Sequence, residues 1–218
     1  MKVQSKNYAP NFTSNIKFVS GKEFDSRMFR QFFYCGKPQE PFIESFCKGC
    51  DVWTPEVRTC TAGGVVDGNN VLAFHFMDKA ENIENVKTQF ASTVDNMLTN
   101  VKSALILGAK KLRQRENSIP LFEKLKTELK KIVSPSIFET HKNRFAESNI
   151  GYESYSDTWF INTTYPKSIK DLYKRDDVLT LDELLNSFGL IKIAPQDRLF
   201  VGGKEITPKI CPEIFNIN

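Results

Sequence analysis

"TPEVRTCTAGGVVDGNNVLAFHFMD", residues 54–78, decides how this chain is read. Two apolar runs, "GGVV" and "VLAFHF", flank the turn "DGNN" at 67–70, and apolar runs around an Asp-Gly pair predict a β-hairpin. The stretch also holds Cys60, one of 5 cysteines, and His75, one of 2 histidines. Paired as a hairpin, the runs bring Cys60 and His75 to neighbouring strand ends. An imidazole beside a thiol lowers its pKa and supplies the proton for a leaving group. "TCTAGG" reads as a sharp turn of small residues that presents Cys60 and offers backbone N–H groups to an oxyanion.

Working outward, "NIENVKTQFASTVDNMLTNVK" repeats apolar residues at three and four, which predicts an amphipathic helix. "SALILGAK" after it suits a buried strand. "SIPLFEKLKTELKKIV" reads as a second helix, with Ser118 as N-cap and Pro120 in its first turn. "GYESYSDTWFINTTYP" is aromatic and threonine-rich, hence strand. "TLDELLNSFG" has the capping-box pair Thr180 and Glu183 and closes on Gly189. "LIKIAP" and "RLFVGGKEI" read as a strand pair with a Gly-Gly turn. Before residue 54, "NIKFV" reads as an edge strand in an otherwise loosely ordered segment 1–20. "GKEFDSRMFRQFFYC" reads as a short amphipathic helix, and "GKPQEPFIESFCKGCDVWTPE" as irregular. These elements predict one α+β domain over 1–218: a mixed sheet or β-sandwich core, flanked by helices.

Composition narrows the partners. The 218 residues carry a net charge of +4 with no arginine-rich run, so nucleic-acid binding is not expected. No window approaches a membrane span, and the polar N-terminus lacks an apolar signal stretch. That predicts a cytoplasmic chain, or one secreted into a host cell without a cleaved signal. An odd cysteine count at irregular spacing argues against a disulfide framework. "CKGC" (Cys47, Cys50) has the spacing of half a zinc site, and Cys35 and Cys60 complete no regular set with it. Neither a metal nor an organic cofactor is expected.

The stretch "TPEVRTC", followed by "AFHFMD", resembles the nucleophile region of the cysteine glutamine deamidase superfamily. Its members include the CheD chemoreceptor deamidases, the catalytic domain of cytotoxic necrotizing factor and the Burkholderia lethal factor. In that superfamily a cysteine at a tight turn precedes a histidine on the next strand by little more than a dozen residues. A threonine six positions before the cysteine orients the histidine in some members. Thr54 stands six before Cys60, and His75 fifteen after it. The sequence departs from the pattern at Arg58-Thr59, where a small pair is usual, and at Pro55.

The resemblance implies Cys60 as nucleophile, His75 as base and acid, and Thr54 holding the histidine. It implies an enzyme whose substrate is a glutamine of a partner protein, either a bacterial signalling protein or a host protein; the departure from CheD around the cysteine favours a secreted bacterial effector or toxin-like enzyme. Asp78 is a second candidate to orient His75, but three residues along a strand faces the opposite way. Cys60, His141 and Asp157 follow the chain order of a papain-like triad, although "CTAGGVVDGNN" makes a poor helix to carry its cysteine. A non-catalytic interaction module with zinc at "CKGC" is the reading from another class.

Overall fold

The computed structural model describes residues 14–27, 31–32, 42–46, 51–68, 70–111, 116–142, 147–164 and 180–216. In chain order the first elements are β1 (Asn15–Phe18), helix α1 (Gly21–Asp25), β2 (Gln31–Phe32), β3 (Phe42–Phe46) and β4 (Val52–Val57). Next come β5 (Thr61–Asp67), β6 (Asn70–Phe76), helix α2 (Ala80–Met97), β7 (Val101–Gly108), helix α3 (Ser118–Lys130) and β8 (Ser136–Glu139). Then follow β9 (Glu147–Glu153), β10 (Thr158–Thr164), helix α4 (Leu181–Ser187), β11 (Leu190–Lys192), β12 (Arg198–Val201) and β13 (Lys204–Ile206).

The strands form two mixed sheets. A 7-stranded sheet has the order β13-β12-β1-β10-β9-β4-β2, and a 6-stranded sheet the order β11-β8-β7-β5-β6-β3. They face each other across one apolar layer. Ile16, Phe18, Val52, Ile150, Trp159 and Leu199 come from the first; Ala62, Val66, Ala73, Leu105, Leu107 and Phe138 come from the second. The other face of the 6-stranded sheet presents Val65, Leu72, Phe74, Ala104 and Ile106, and helices α2 and α3 cover it with Val86, Phe90, Leu121, Phe122 and Leu125. The architecture is therefore α+β: a β-sandwich with a helical layer on one side. Each large apolar side chain so buried contributes roughly 1.5–3 kcal/mol. A buried hydrogen bond contributes about 1 kcal/mol net, so packing, not polar contacts, joins the sheets.

The residues between β4 and β6 explain the site. The expected hairpin forms, with Ala62 opposite His75 and Asp67 opposite Asn70. Gly68, at φ 58°, takes a left-handed turn position that favours glycine. The small residues of "TAGG" lie within β5, where a sharp turn was expected; the bend falls earlier, at Arg58–Cys60. A Cβ on Gly63 would stand 1.9 Å from the Leu105 carbonyl oxygen. One on Gly64 would meet Trp159 of the opposite sheet at 2.8 Å. Close approach, not turning, requires these glycines: to the neighbouring strand β7 at Gly63 and to the opposite sheet at Gly64.

Several local expectations need correction. "NIKFV" is no edge: β1 lies between β10 and β12, parallel to both, and residues 14–20 are ordered with it. The helix expected from Gly21 stops at Asp25, and Gln31–Phe32 is strand. Phe24 packs with Phe160 and Val19; Met28 and Phe33, and the side chain of Phe32, lie outside what is described. The stretch read as irregular holds β3 and β4. Pro55 is accommodated because β4 bulges between Thr54 and Val57, with Glu56 at φ 58°. The N-cap of α3 is Asn117, while the Ser118 hydroxyl accepts the Lys110 N–H at 3.1 Å. "LIKIAP" does not pair with "RLFVGGKEI". β11 joins β8 in one sheet, and β12 and β13 form their own hairpin in the other. The Thr180–Glu183 capping box is present.

Candidate active site

Chain connectivity builds this site. β4 belongs to the 7-stranded sheet and β5 to the 6-stranded sheet, and Arg58–Cys60 carries the chain from one to the other. Any side chain on this crossover stands at the end of the apolar layer. Cys60 is half-buried there and packs against the inter-sheet core.

His75 is 1% exposed and Thr54 0%. Residues alternate across a strand, so His75 shares its face with its partner Ala62 and with Ala73, and that face looks into the sandwich. Thr54 points inward from β4 of the opposite sheet. Its Oγ1 lies 2.6 Å from His75 Nδ1. This hydrogen bond spans the sandwich and fixes the imidazole plane. Cys60 closes the Arg58–Cys60 bend just before β5, two residues from Ala62, the partner of His75, so both side chains belong to the same end of the β5·β6 pair.

Nδ1 is engaged by Thr54, and Asp78 lies past the end of β6, buried at the start of α2. The papain-like set is not brought together. Ser14 Oγ donates to Asp157 Oδ1 at 2.8 Å and contacts Ser103 Oγ at 2.5 Å, near the start of β7. Cys60 borders the other end of β7: a Cβ on Gly108 would lie 3.3 Å from the Cys60 carbonyl oxygen. Five strand residues, roughly 16 Å, separate Ser103 from Gly108. His141 projects from the end of β8, with its Nδ1 3.5 Å from Glu139 Oε2 and its side chain 41% exposed.

Sequence reading missed a charged group at the Cys60 end. Arg58 pairs with Glu147, and Lys110, just beyond β7, is 1% exposed. Burial first, and then the Arg58 guanidinium, push the Lys110 amine down to about 8, against an opposing pull from Glu147. The only sequence signal was a lysine closing the buried run "SALILGA". Among the described residues no group of three or more His, Cys, Asp or Glu side chains could hold a metal. Cys35, Cys47 and Cys50 lie outside the described residues. No helix among the described residues is long and apolar enough to cross a membrane.

The described residues thus place, at one end of the β-sandwich, a half-buried Cys60 on the sheet crossover and a buried His75 hydrogen-bonded to Thr54. No protein-family model and no curated protein matches the chain.

Proposed function

We propose that the chain is a cysteine hydrolase of side-chain amides, a protein-glutamine deamidase of the superfamily that its Thr-Cys-His pattern resembles. The single observation that carries this is the Thr54–His75 hydrogen bond across the two sheets, at the point where the chain crosses between them through Cys60. A buried histidine held at Nδ1 costs a protein desolvation that a purely structural core avoids. The arrangement is useful to a nucleophile.

In this mechanism His75 Nδ1–H donates to Thr54 Oγ1, which leaves Nε2 as the base. Nε2 takes the Cys60 proton, and the thiolate attacks the glutamine side-chain carbonyl carbon. The oxyanion forms beside backbone N–H groups of the Arg58–Cys60 bend, which lies outside the registers of β4 with β9 and β5 with β6. His75 returns its proton to the departing nitrogen, so ammonia leaves and a thioester remains. Water then adds, His75 again moves the proton, and the thioester breaks to give glutamate and the original thiol. A primary amine in place of water gives transglutamination. The substrate is a glutamine on a partner protein, and the reaction requires no cofactor.

The test has two parts. Cell lysate treated with the purified chain is searched by mass spectrometry for glutamine-to-glutamate changes and for incorporation of a labelled amine. Cys60→Ser treatment serves as the blank. Alkylation of Cys60 by iodoacetamide is followed against pH in the wild type, His75→Ala and His141→Ala. The reading requires a thiol more acidic than the ordinary value of about 8.5, normalised by His75→Ala alone. Ordinary reactivity in all three proteins, with no modified glutamine, sinks it.

A further inference from the structure

Asp197 takes no part in the hydrolysis just described, yet it is a carboxyl buried to 6% exposure. Its Oδ2 accepts the Ser136 hydroxyl at 2.8 Å, while Oδ1, also buried, meets no hydrogen-bond donor among the described residues. An ionised carboxyl so placed is costly, and a neutral acid costs far less. A second carboxyl acts on it: Asp157, half-buried, whose charge raises the cost of ionising Asp197.

The two carboxyls join the sheets in the same manner. Asp197 precedes β12 of the 7-stranded sheet and is linked through Ser136 to β8 of the 6-stranded sheet. Ser136 Oγ also accepts the Ala194 N–H at 3.0 Å, and Asp197 N–H donates to the Ala194 carbonyl at 2.9 Å, so the turn 194–197 is tied to one hydroxyl. Asp157 precedes β10 and is linked through Ser14, just before β1, to Ser103 of β7. The Arg198 N–H donates to the Ser14 carbonyl at 3.1 Å, and the Asn15 N–H to the Asp157 carbonyl at 2.9 Å. The start of β1 is therefore gripped by both carboxyl-bearing turns. An open cavity of about 660 Å³ adjoins them, lined by Ser134, Pro195 and Lys130 among others.

The neighbouring charges are engaged elsewhere. Arg198 forms a bidentate pair with Glu205, Lys17 of β1 lies over the Phe160 and Phe200 rings, and Lys131 pairs with Glu128. Tyr152 of β9 donates to Asp157, and Lys130 lines the cavity. Among the described residues Asp157 is the charge that acts on Asp197.

We propose that Asp197 is a pH-operated clasp between the two sheets: as a neutral acid it holds the turn before β12 and the start of β1 against β8, and as a carboxylate facing Asp157 it releases them toward the adjoining cavity. Burial first, with Asp157 adding, holds the proton up to about pH 7 against the pull of the Ser136 hydroxyl and the Ser14 backbone. The folded chain binds this proton more tightly than the unfolded one, so the clasp is closed in acid and weakens as pH rises through 7. Opening is confined to β1, β12 and the turn between Ala194 and Asp197; the β5·β6 hairpin stays closed.

The experiment is amide hydrogen exchange of the whole chain from pH 5 to 8, read by peptide mass spectrometry and divided by the intrinsic exchange rate at each pH. Protection of β1 and β12 is expected to fall about tenfold between pH 6 and 8, and at pH 8 both should exchange ahead of β5 and β6. Asp197→Asn, which cannot ionise, is expected to abolish that fall. The infrared band of a protonated carboxyl should be present at pH 6, lost by pH 8.5, and missing from Asp197→Asn. Exchange of β1 and β12 in step with β5 and β6 at every pH overturns the clasp, because the carboxyl then titrates only with global unfolding. A fall that persists in Asp197→Asn also overturns it. Should that variant not fold, the wild-type chain decides: constant protection of β1 and β12 from pH 6 to 8, or no carboxyl band at pH 6, ends the proposal.

Discussion

The two ends of this β-sandwich are both polar and both buried, yet they are built differently. At one end Ser14 Oγ contacts Ser103 and donates to Asp157, Tyr152 donates to Asp157 at 2.8 Å, and Ser136 donates to Asp197 at 2.8 Å. Burial and the neighbouring Asp157 carboxylate push the Tyr152 phenol upward, so it remains a donor. Hydroxyls answer carboxylates there, and the network ties β1, β7, β8 and β10 together. At the other end, Thr54 answers an imidazole, a half-buried thiol stands at the crossover, and a lysine is buried among charges. The first arrangement is what a fold needs to close its edge. The second sets a thiol, an imidazole and an amine at one end of the fold. The difference supports the proposal that the Cys60 end is the working end.

Substitutions can break this comparison. The largest effect is expected from Cys60→Ser, which should lower glutamine conversion about a thousandfold or more while leaving the melting temperature within a few degrees. Loss of folding instead would make Cys60 a structural residue like those at the far end. Gly63→Ala follows, because its Cβ would overlap the Leu105 carbonyl. A cost of several kcal/mol in chemical denaturation is expected, against near-neutrality if β5 can shift.

Asp197 provides the pH contrast. Its carboxyl is 6% exposed, and burial pushes it up to about 7, only partly countered by the Ser136 hydroxyl. The folded state thus holds this proton more tightly than the unfolded chain does. Its stabilising share is full below about pH 4 and is lost as pH rises through 7. Asp197→Asn should flatten that dependence and stabilise the chain above pH 7 by on the order of 3 kcal/mol. It should leave Cys60 alkylation unchanged, since the two ends are far apart. A denaturation series from pH 4 to 8 shows whether the slope disappears.

Thr54→Val carries the smallest expected effect on stability, about 1–2 kcal/mol, because a buried imidazole nitrogen loses its partner. The same variant should slow Cys60 alkylation at pH 7 by about tenfold, while Thr54→Ser should retain most of it. Equal loss from Ser14→Ala, at the opposite end, would erase the distinction between the two networks.

Much of this was legible in the sequence, for local reasons. The hairpin at 61–76 follows from alternation and the Asp-Gly turn, and helices α2 and α3 from apolar spacing. The pairing of Thr54 with His75 was legible only through a resemblance, since nothing local relates β4 to β6. What the chain determined alone were the contents of the elements: which runs are apolar, where α2, α3 and α4 lie, and that a thiol and an imidazole flank one hairpin. Tertiary structure decided the rest. It put β1 in the middle of a sheet, made strand of a proline-bearing segment by a bulge, and sent β4 and β5 to different sheets. It also buried Lys110 and brought Thr54 to His75. Those outcomes depend on which strands pair at long range, and that is set by how two sheets bury their shared face, a property no short window of sequence contains.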